Sequence, residues 1–259
     1  MIITSRDNRI YKKLKLLSDK RRRESEGLFL IEGLRGVQDA LKNGMKVRTV
    51  ALCEGSEIKI DVPEVYVLAK KLFAELADTM TPQGIIAAVE MPKASLSDFK
   101  AESDGFVVLC ENLRDPGNLG TVIRTADAAG AAGVALTKGC CDLFNPKTVR
   151  STVASIGNIP IVRGLDAIDA ALSLKKMGFR LVAGALTDKT VSLYEADLSG
   201  KIAFIVGNEG DGITPELLSK ADEAVKIPMR GGAESLNASV AAAVMMYEKV
   251  RLTAEKNIS

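Results

Sequence analysis

Three short stretches carry most of the side chains able to do chemistry: "ENLRDPGNLGTVIRTADAAG" (111–130), "GNEGDGI" (207–213) and "RGGAESLNAS" (230–239). The first sets Asn118 at the end of a turn rich in Asn, Asp, Pro and Gly, and follows it with one arginine, Arg124, on a small-residue helix. The second places Glu209 amid three glycines. The third puts Ser235, Asn237 and Ser239 at the start of a segment that is otherwise Ala, Val and Met. The chain has no histidine, so the usual general base, the usual zinc ligand and every Ser-His or Cys-His nucleophile system are excluded. Catalysis here must use carboxylates, Lys, Arg, Tyr, Cys, Ser or Asn.

Each stretch has a plain reading beside a functional one. Asn118 is a good N-cap, so the helix is expected to start at Leu119 or Gly120, with Val122, Ile123, Ala126 and Ala129 on its apolar face. Helical side chains lean toward the N-terminus, which aims Arg124 back over the turn that holds Asn118. It is then either a solvated helix arginine or an anion contact beside a helix start. Glu209 is an exposed acid in a tight turn, or it marks backbone that approaches a ligand closely, as glycines allow. Capping accounts for one of Ser235, Asn237 and Ser239, not for all three. No G-x-G-x-x-G follows an early strand and no P-loop motif occurs, which argues against a nicotinamide dehydrogenase and against a nucleotide triphosphatase.

The elements that must hold these stretches alternate strand and helix. Continuous apolar runs at 105–110, 133–137, 179–186, 201–207 and 223–228 read as buried parallel strands. Helical patterns fall between them at 119–129, about 146–156, 165–177 and 214–220, and a long one closes the chain. That alternation predicts an α/β fold with a parallel sheet covered on both faces. In such sheets ligands bind at the carboxyl ends of the strands, and all three stretches follow a strand. Before them, residues 1–95 read as a smaller α/β domain: a helix over 7–22, a strand at 27–33, a helix ending near Gly44, and further alternation. A polar stretch reads as a linker at 96–104, and the larger domain runs over 105–259.

Composition sets the remaining bounds. The chain has 259 residues, 47% of them hydrophobic and none of them Trp, so Ala, Val, Leu and Ile must build the core. No apolar run reaches the length that spans a bilayer and "MIITSRDNRIYKKLKLL" does not read as a secretory signal, so a soluble, cytoplasmic protein is expected. Cys53, Cys110, Cys140 and Cys141 show no metal-ligand spacing and are expected as reduced thiols, with no metal bound. Residues 1–23 carry nine Lys and Arg against two Asp, a net +7 in a chain of net +2, which leaves −5 for the rest. A basic N-terminal element on a near-neutral body suggests an anionic partner.

Taken together and in order, "NLRDPGNLGTVIRTADAAG", "FIVGNEGDGI" and "IPMRGGAESLNASVAAAVMMYE" resemble the three motifs of the SpoU/TrmH branch of the SPOUT RNA methyltransferases. The N-terminal "SRDNRIYKKLKLL…EGLFLIEGLRGVQDALKNG" with "TPQGIIAAVE" is similar to the substrate-binding domain of the ribosomal-RNA ribose methylases of that family. The resemblance implies S-adenosyl-L-methionine as cofactor, transfer of its methyl group to a ribose 2′-OH of RNA (23S ribosomal RNA before transfer RNA), a C-terminal trefoil knot and a homodimer with its site near the interface. It implies catalytic roles for Asn118, Arg124, Glu209, Ser235 and Asn237, and cofactor contacts from Leu186, Gly207, Ile227, Met229 and Leu236. The basic element would supply RNA contacts from Arg6, Lys12, Lys20, Arg21, Arg22 and Arg23, joined by Arg35. The alternatives are a transfer-RNA methylase and a non-catalytic RNA-binding relative.

Overall fold

The structure, a computed structural model, describes residues 2–256; positions 1 and 257–259 of the two expected domains lie outside the described residues. The chain divides into two units. One takes the residues up to Pro92 together with Phe144–Gly157; the other takes Lys93–Leu143 and the chain from Asn158 on. A single cut at 96–104 therefore does not reproduce the division. The physical reason is packing: Phe144 lies against Phe29 with ring centroids 4.7 Å apart, and a Cβ on Gly157 would come within 2.6 Å of Met45 Sδ.

In the first unit the strands are β1 (Ile2–Ile3), β2 (Leu28–Glu32), β3 (Val47–Cys53), β4 (Val65–Leu68) and β5 (Ile85–Glu90). They form a mixed sheet in the order β1-β4-β3-β5-β2, parallel from β1 to β3 and antiparallel across β5. The helices are α1 (Arg9–Leu16), α2 (Lys20–Glu26), α3 (Leu34–Lys42), α4 (Lys70–Leu76) and α6 (Pro146–Thr152). Tyr11, Leu14 and Leu17 pack with Leu72, Phe73 and Ile86 in its core.

The helix expected over 7–22 is two helices. Asn8 caps α1, accepting from the amides of Ile10 and Tyr11. The helix stops at Leu17, and Asp19 then caps α2 by accepting from Arg22 N at 3.0 Å. A second good N-cap so soon after the first favours two short helices over one long one. Arg23 seals the break. It is only 3% exposed, and its Nη1 donates to the carbonyls of Leu17 and Ser18, each at 2.9 Å. Arg23 therefore does not belong with the surface cations: its guanidinium satisfies the carbonyl end of α1, which a solvated phosphate contact could not do from a buried position.

In the second unit the strands are β6 (Phe106–Cys110), β7 (Val134–Thr137), β8 (Ile161–Leu165), β9 (Arg180–Gly184), β10 (Val191–Ser192), β11 (Ile202–Val206) and β12 (Glu223–Lys226). The sheet order is β10-β12-β9-β11-β6-β7-β8, and every pairing is parallel. Helices α5 (Pro116–Ala128), α7 (Ala167–Lys176), α8 (Pro215–Leu218) and α9 (Ala238–Lys256) complete it. β6 and β11 run side by side in register, Val206 opposite Cys110, so the loops that leave them emerge together. The strand order reverses at this place, β6 leading to β7 and β8 on one side while β9, β11 and β12 build the other. That is the switch point at which open parallel sheets bind ligands.

Apolar side chains on one face of the sheet pack against α7 and its flanks, among them Leu109, Ala135, Leu174, Phe179, Leu181 and Ile205. Charged side chains are buried in this unit as well, Lys249 among them. Lys249 of α9 donates through Nζ to Asp104 at 2.5 Å and to the carbonyls of Leu198 and Gly200 at 2.7 and 3.0 Å. All three ammonium protons have acceptors, which is the condition for burying a lysine. Among the described residues no helix is long and apolar enough to cross a membrane.

Candidate active site

The loop after β6 is built differently from the sequence expectation. Asp115, not Asn118, caps α5: its side chain accepts from Asn118 N at 2.8 Å, and Pro116 takes the first helical position. Proline suits that position because its missing N–H would be unpaired there anyway. The shift matters for the site. As the third residue of the helix, Asn118 no longer spends its side chain on capping, and its amide is available to other loops.

Those loops come to it. Asn118 Nδ2 donates to Glu209 Oε1 at 2.5 Å. Asn118 Oδ1 accepts from Asn237 Nδ2 at 2.9 Å and from Ser239 Oγ at 3.3 Å. Asn237 Oδ1 in turn accepts from Ser239 Oγ at 2.6 Å and Ser239 N at 2.9 Å, which caps α9. One network thus joins three loops that lie far apart in sequence, and it uses both the donor and the acceptor of each amide.

A second set of bonds fixes the loop that carries Glu209. Glu111, 2% exposed, accepts from Thr214 N at 2.8 Å and Thr214 Oγ1 at 2.7 Å. Asn208 Nδ2 donates to the carbonyl of Asn112 at 2.9 Å, and its Oδ1 accepts from the amides of Gly210 and Asp211. Segment 207–214 is therefore tied at both ends to two consecutive residues at the end of β6. Asn112 sits at φ +52°, and a Cβ on Gly139 would fall 1.7 Å from its Oδ1. Gly207 is equally confined, since a Cβ there would meet Gly212 backbone at 2.3 Å.

Beside this network lies a cleft of about 670 Å³ in the second unit, within the size range of small-molecule sites. All five residues expected to meet a cofactor, Leu186, Gly207, Ile227, Met229 and Leu236, line it. Glu209, Ser235 and Asn237 line it too. Gly184 forms part of its floor, with Met245 packed so closely that a Cβ would lie 3.0 Å from Cε. The charged groups at its wall are Glu209, Asp211 and Glu234 against Lys226. The lining is thus acidic on balance, with Asn208, Ser235 and Asn237 as neutral polar groups and apolar side chains and glycines making up the rest, which suits a ligand with a net positive charge and an apolar body.

Arg124 is not part of that lining. Six residues beyond Asn118 on one helix place it roughly 9 Å along the axis and about 120° round it. It is exposed and makes no hydrogen bond or ion pair among the described residues. Ser235 likewise has no hydrogen-bond partner among the described residues. Cys110 ends β6 and Cys140 donates through Sγ to its carbonyl at 3.2 Å; burial pushes both thiols up, Cys110 well up. Protonated thiols of this kind pack rather than react. Among the described residues there is no cluster able to hold a metal ion.

Glu111, Asn208 and Thr214 are the site residues that sequence reasoning missed. Asn208 and Thr214 sit within or just beyond a recognised motif, but nothing in residue type alone separates a tying residue from a turn former. Glu111 opens the first motif and gives no sign in the sequence that it is buried.

Residues 105–247 match the family model described as the SpoU rRNA Methylase family. The chain belongs to that family. Residues 8–87 match a second model, the MRM3-like substrate binding domain. Among curated relatives, the 23S rRNA (guanosine(2553)-2'-O)-methyltransferase RlmP of Bacillus subtilis is 38% identical over 248 residues, covering 95% of this chain and 97% of that one. Among solved structures, the AdoMet-bound rRNA methyltransferase of Sinorhizobium meliloti superposes with a TM-score of 0.86 at 30% identity, covering 97% of this chain and 98% of that one. The SpoU methyltransferase AviRb of Streptomyces viridochromogenes, in complex with AdoMet, gives 0.85 at 30% identity, covering 95% and 98%. The parallel α/β unit is thus the SpoU fold, and the first unit accompanies it in relatives of nearly equal length.

Proposed function

We propose that this SpoU family member transfers a methyl group from S-adenosyl-L-methionine to a ribose 2′-OH of 23S ribosomal RNA. The observation that carries the reading is the Asn118–Glu209–Asn237 network on the rim of an acidic cleft. The cleft fits the cofactor on its own terms. Its acids complement a sulfonium and an ammonium, and Gly184, Gly207 and their neighbours leave backbone groups open to an adenine. When bound there, the cofactor supplies an already activated methyl group, so the protein's task is to bring a hydroxyl to it in line.

In this reading Asn118 is the organising group. It holds Glu209 and Asn237 together, and they fix the floor on which the ribose lands. Ser235, with no hydrogen-bond partner among the described residues, is available to the substrate. Arg124 stands apart from that cleft, exposed on α5 and with no ion pair among the described residues. A guanidinium holds its proton too tightly to serve as a good base. Its role is to bind the phosphate beside the target ribose and to stabilise charge developing on the hydroxyl oxygen.

The homodimer belongs to the same proposal. On α9, Val240 and Tyr247 are 46% and 50% exposed, and with Val244 and Arg251 they follow helical spacing along one outward stripe. α5, which carries Arg124, packs beside α9. A second copy seated on this stripe would cover the apolar side chains and meet Arg124. The knot is part of the proposal as well: segments 184–186, 207–213 and 227–245 all contribute to one cleft, as a chain end drawn through a loop would require.

The test pairs calorimetry with ribose-methylation mapping on unmodified 23S rRNA. Wild type binds S-adenosylmethionine and methylates; Arg124→Lys binds it equally and loses about 100-fold in transfer, because the charge stays and the fork is lost. Full transfer by Arg124→Lys would overturn the role given to the guanidinium. Absence of cofactor binding by wild type would overturn the enzyme reading.

A further inference from the structure

The first unit carries a rigid loop with one apolar side chain held wholly in solvent. The loop joins α4 to β5 over residues 77–84. Glu32, at the end of β2, grips one side of it: the carboxylate accepts from Asp78 N at 2.8 Å, from Thr79 N at 3.3 Å, and from the Thr79 hydroxyl. Arg150 of α6 pairs with Asp78. On the other side Gln83 Oε1 accepts from Leu34 N at 3.1 Å, at the start of α3. A Cβ on Gly33 would lie 3.1 Å from that same oxygen, and Gly84 turns the chain back into β5 at φ +80°. Both shoulders of the loop are therefore fixed, and Met80 stands at its tip with a relative exposure of 101%.

Singly exposed apolar residues are ordinary. This one differs in its mounting. A loop that only had to connect two elements has no need of a carboxylate taking three hydrogen bonds and a glutamine clamp opposite. The surroundings also suit one kind of partner. Asp78 is paired with Arg150, and Arg35, at the head of α3 next to the clamped Leu34, makes only a loose pair with Asp39 at 3.7 Å and keeps most of its side chain in solvent, where a phosphate could reach it. A protruding thioether on a loop tied to the elements that carry Arg35 and Arg150 matches an unstacked nucleobase: bases in RNA loops splay out and stack on side chains, and methionine serves elsewhere as an inserting wedge and makes favourable sulfur–aromatic contacts.

We propose that Met80, presented by the Glu32–Gln83 clamp, is a base-contacting residue of the first unit that stacks on an unpaired nucleotide of the RNA substrate. The inference rests on the RNA-methylase reading above and adds to it a recognition point in the first unit.

The chain contains no tryptophan, so Met80→Trp installs a unique fluorophore at the contact. Titrated with unmodified 23S rRNA, Met80→Trp is expected to lose most of its emission on binding, while Leu172→Trp, on the second unit's α7, keeps its own. Met80→Ala is expected to weaken filter binding of the same RNA roughly 2- to 10-fold, the range of a sulfur–aromatic contact, with an unchanged slope of log affinity against log salt, since no charge is removed. Both variants should melt with wild type, because the side chain is wholly in solvent. Met80→Ala binding as tightly as wild type, or Met80→Trp emission unaffected at saturation, would overturn the proposal; so would weakened binding of a protein partner with RNA affinity intact. Wild type failing to bind 23S rRNA in the same series would instead overturn the RNA reading on which it rests.

Discussion

Glu111→Gln separates the tie behind the loop from the chemistry in front of it. The change is isosteric and removes no atom from the core. The carboxylate accepts from both Thr214 N and Thr214 Oγ1, at 2.8 and 2.7 Å, in a position 2% exposed. An amide offers one oxygen where the carboxylate offers two, so one Thr214 donor loses its acceptor or faces an N–H. Hydrogen bonds to charged groups contribute about 1.5–3 kcal/mol, and a buried donor left without a partner costs about 1–3 kcal/mol, so a loss of about 2–3 kcal/mol is expected. For a unit of this size that lowers the melting temperature by about 4–10 °C. Segment 207–214 keeps its other tie, Asn208 on Asn112, so cofactor affinity should fall less, about tenfold, or about 1.4 kcal/mol. Calorimetry gives both numbers, and a double-mutant cycle with Thr214→Val should return a coupling of about 1–2 kcal/mol. An unchanged melting temperature with unchanged cofactor affinity would refute the view that Glu111 holds this loop.

Two further outcomes follow from the first unit. Glu75 accepts from Arg6 Nε at 2.9 Å and from the Tyr11 hydroxyl at 3.0 Å, and the bond from Arg6 above all holds its carboxyl at about 2. A folded value below the unfolded one contributes stability above about pH 4.5 that is lost as pH falls toward about 2; Glu75→Gln should flatten the acid side of the melting curve in that window, and an unaltered curve would count against the pairing. The surface cations predict salt behaviour. Arg6 and Lys12 are engaged with Glu75 and Asp7, whereas Lys20, Arg21 and Arg22 are exposed with no ion pair among the described residues. Arg21→Ala with Arg22→Ala should lower the salt slope of RNA binding by about 0.7–0.9 for each phosphate that is no longer neutralised, while leaving the melting temperature in place; Arg23→Ala should instead destabilise the unit. Equal behaviour of the three arginines would refute their separation.

What the sequence determined is the periodic and the local. Parallel strands are legible in runs such as "GFVVLC" and "KIAFIVG", because a strand buried on both faces must be apolar throughout. Glycine-rich strand ends mark a ligand site for a similar reason: only backbone without side chains fits where Gly207 and Gly139 lie. The cleft-lining residues came with the motifs, since their positions depend on short stretches already aligned to a strand end. The tertiary structure alone decided the rest. A helix beginning earlier than Asn118 suggested, through the Asp115–Pro116 pair, released that amide for Glu209 and Asn237. A basic run divided into exposed Arg21 and Arg22 and buried Arg23, which a helical register broken at Ser18 turns inward. Glu111 became the buried tie of a loop 103 residues away in sequence. Each of these depends on which groups meet across the sheet, and residue type carries no record of the partner it will find.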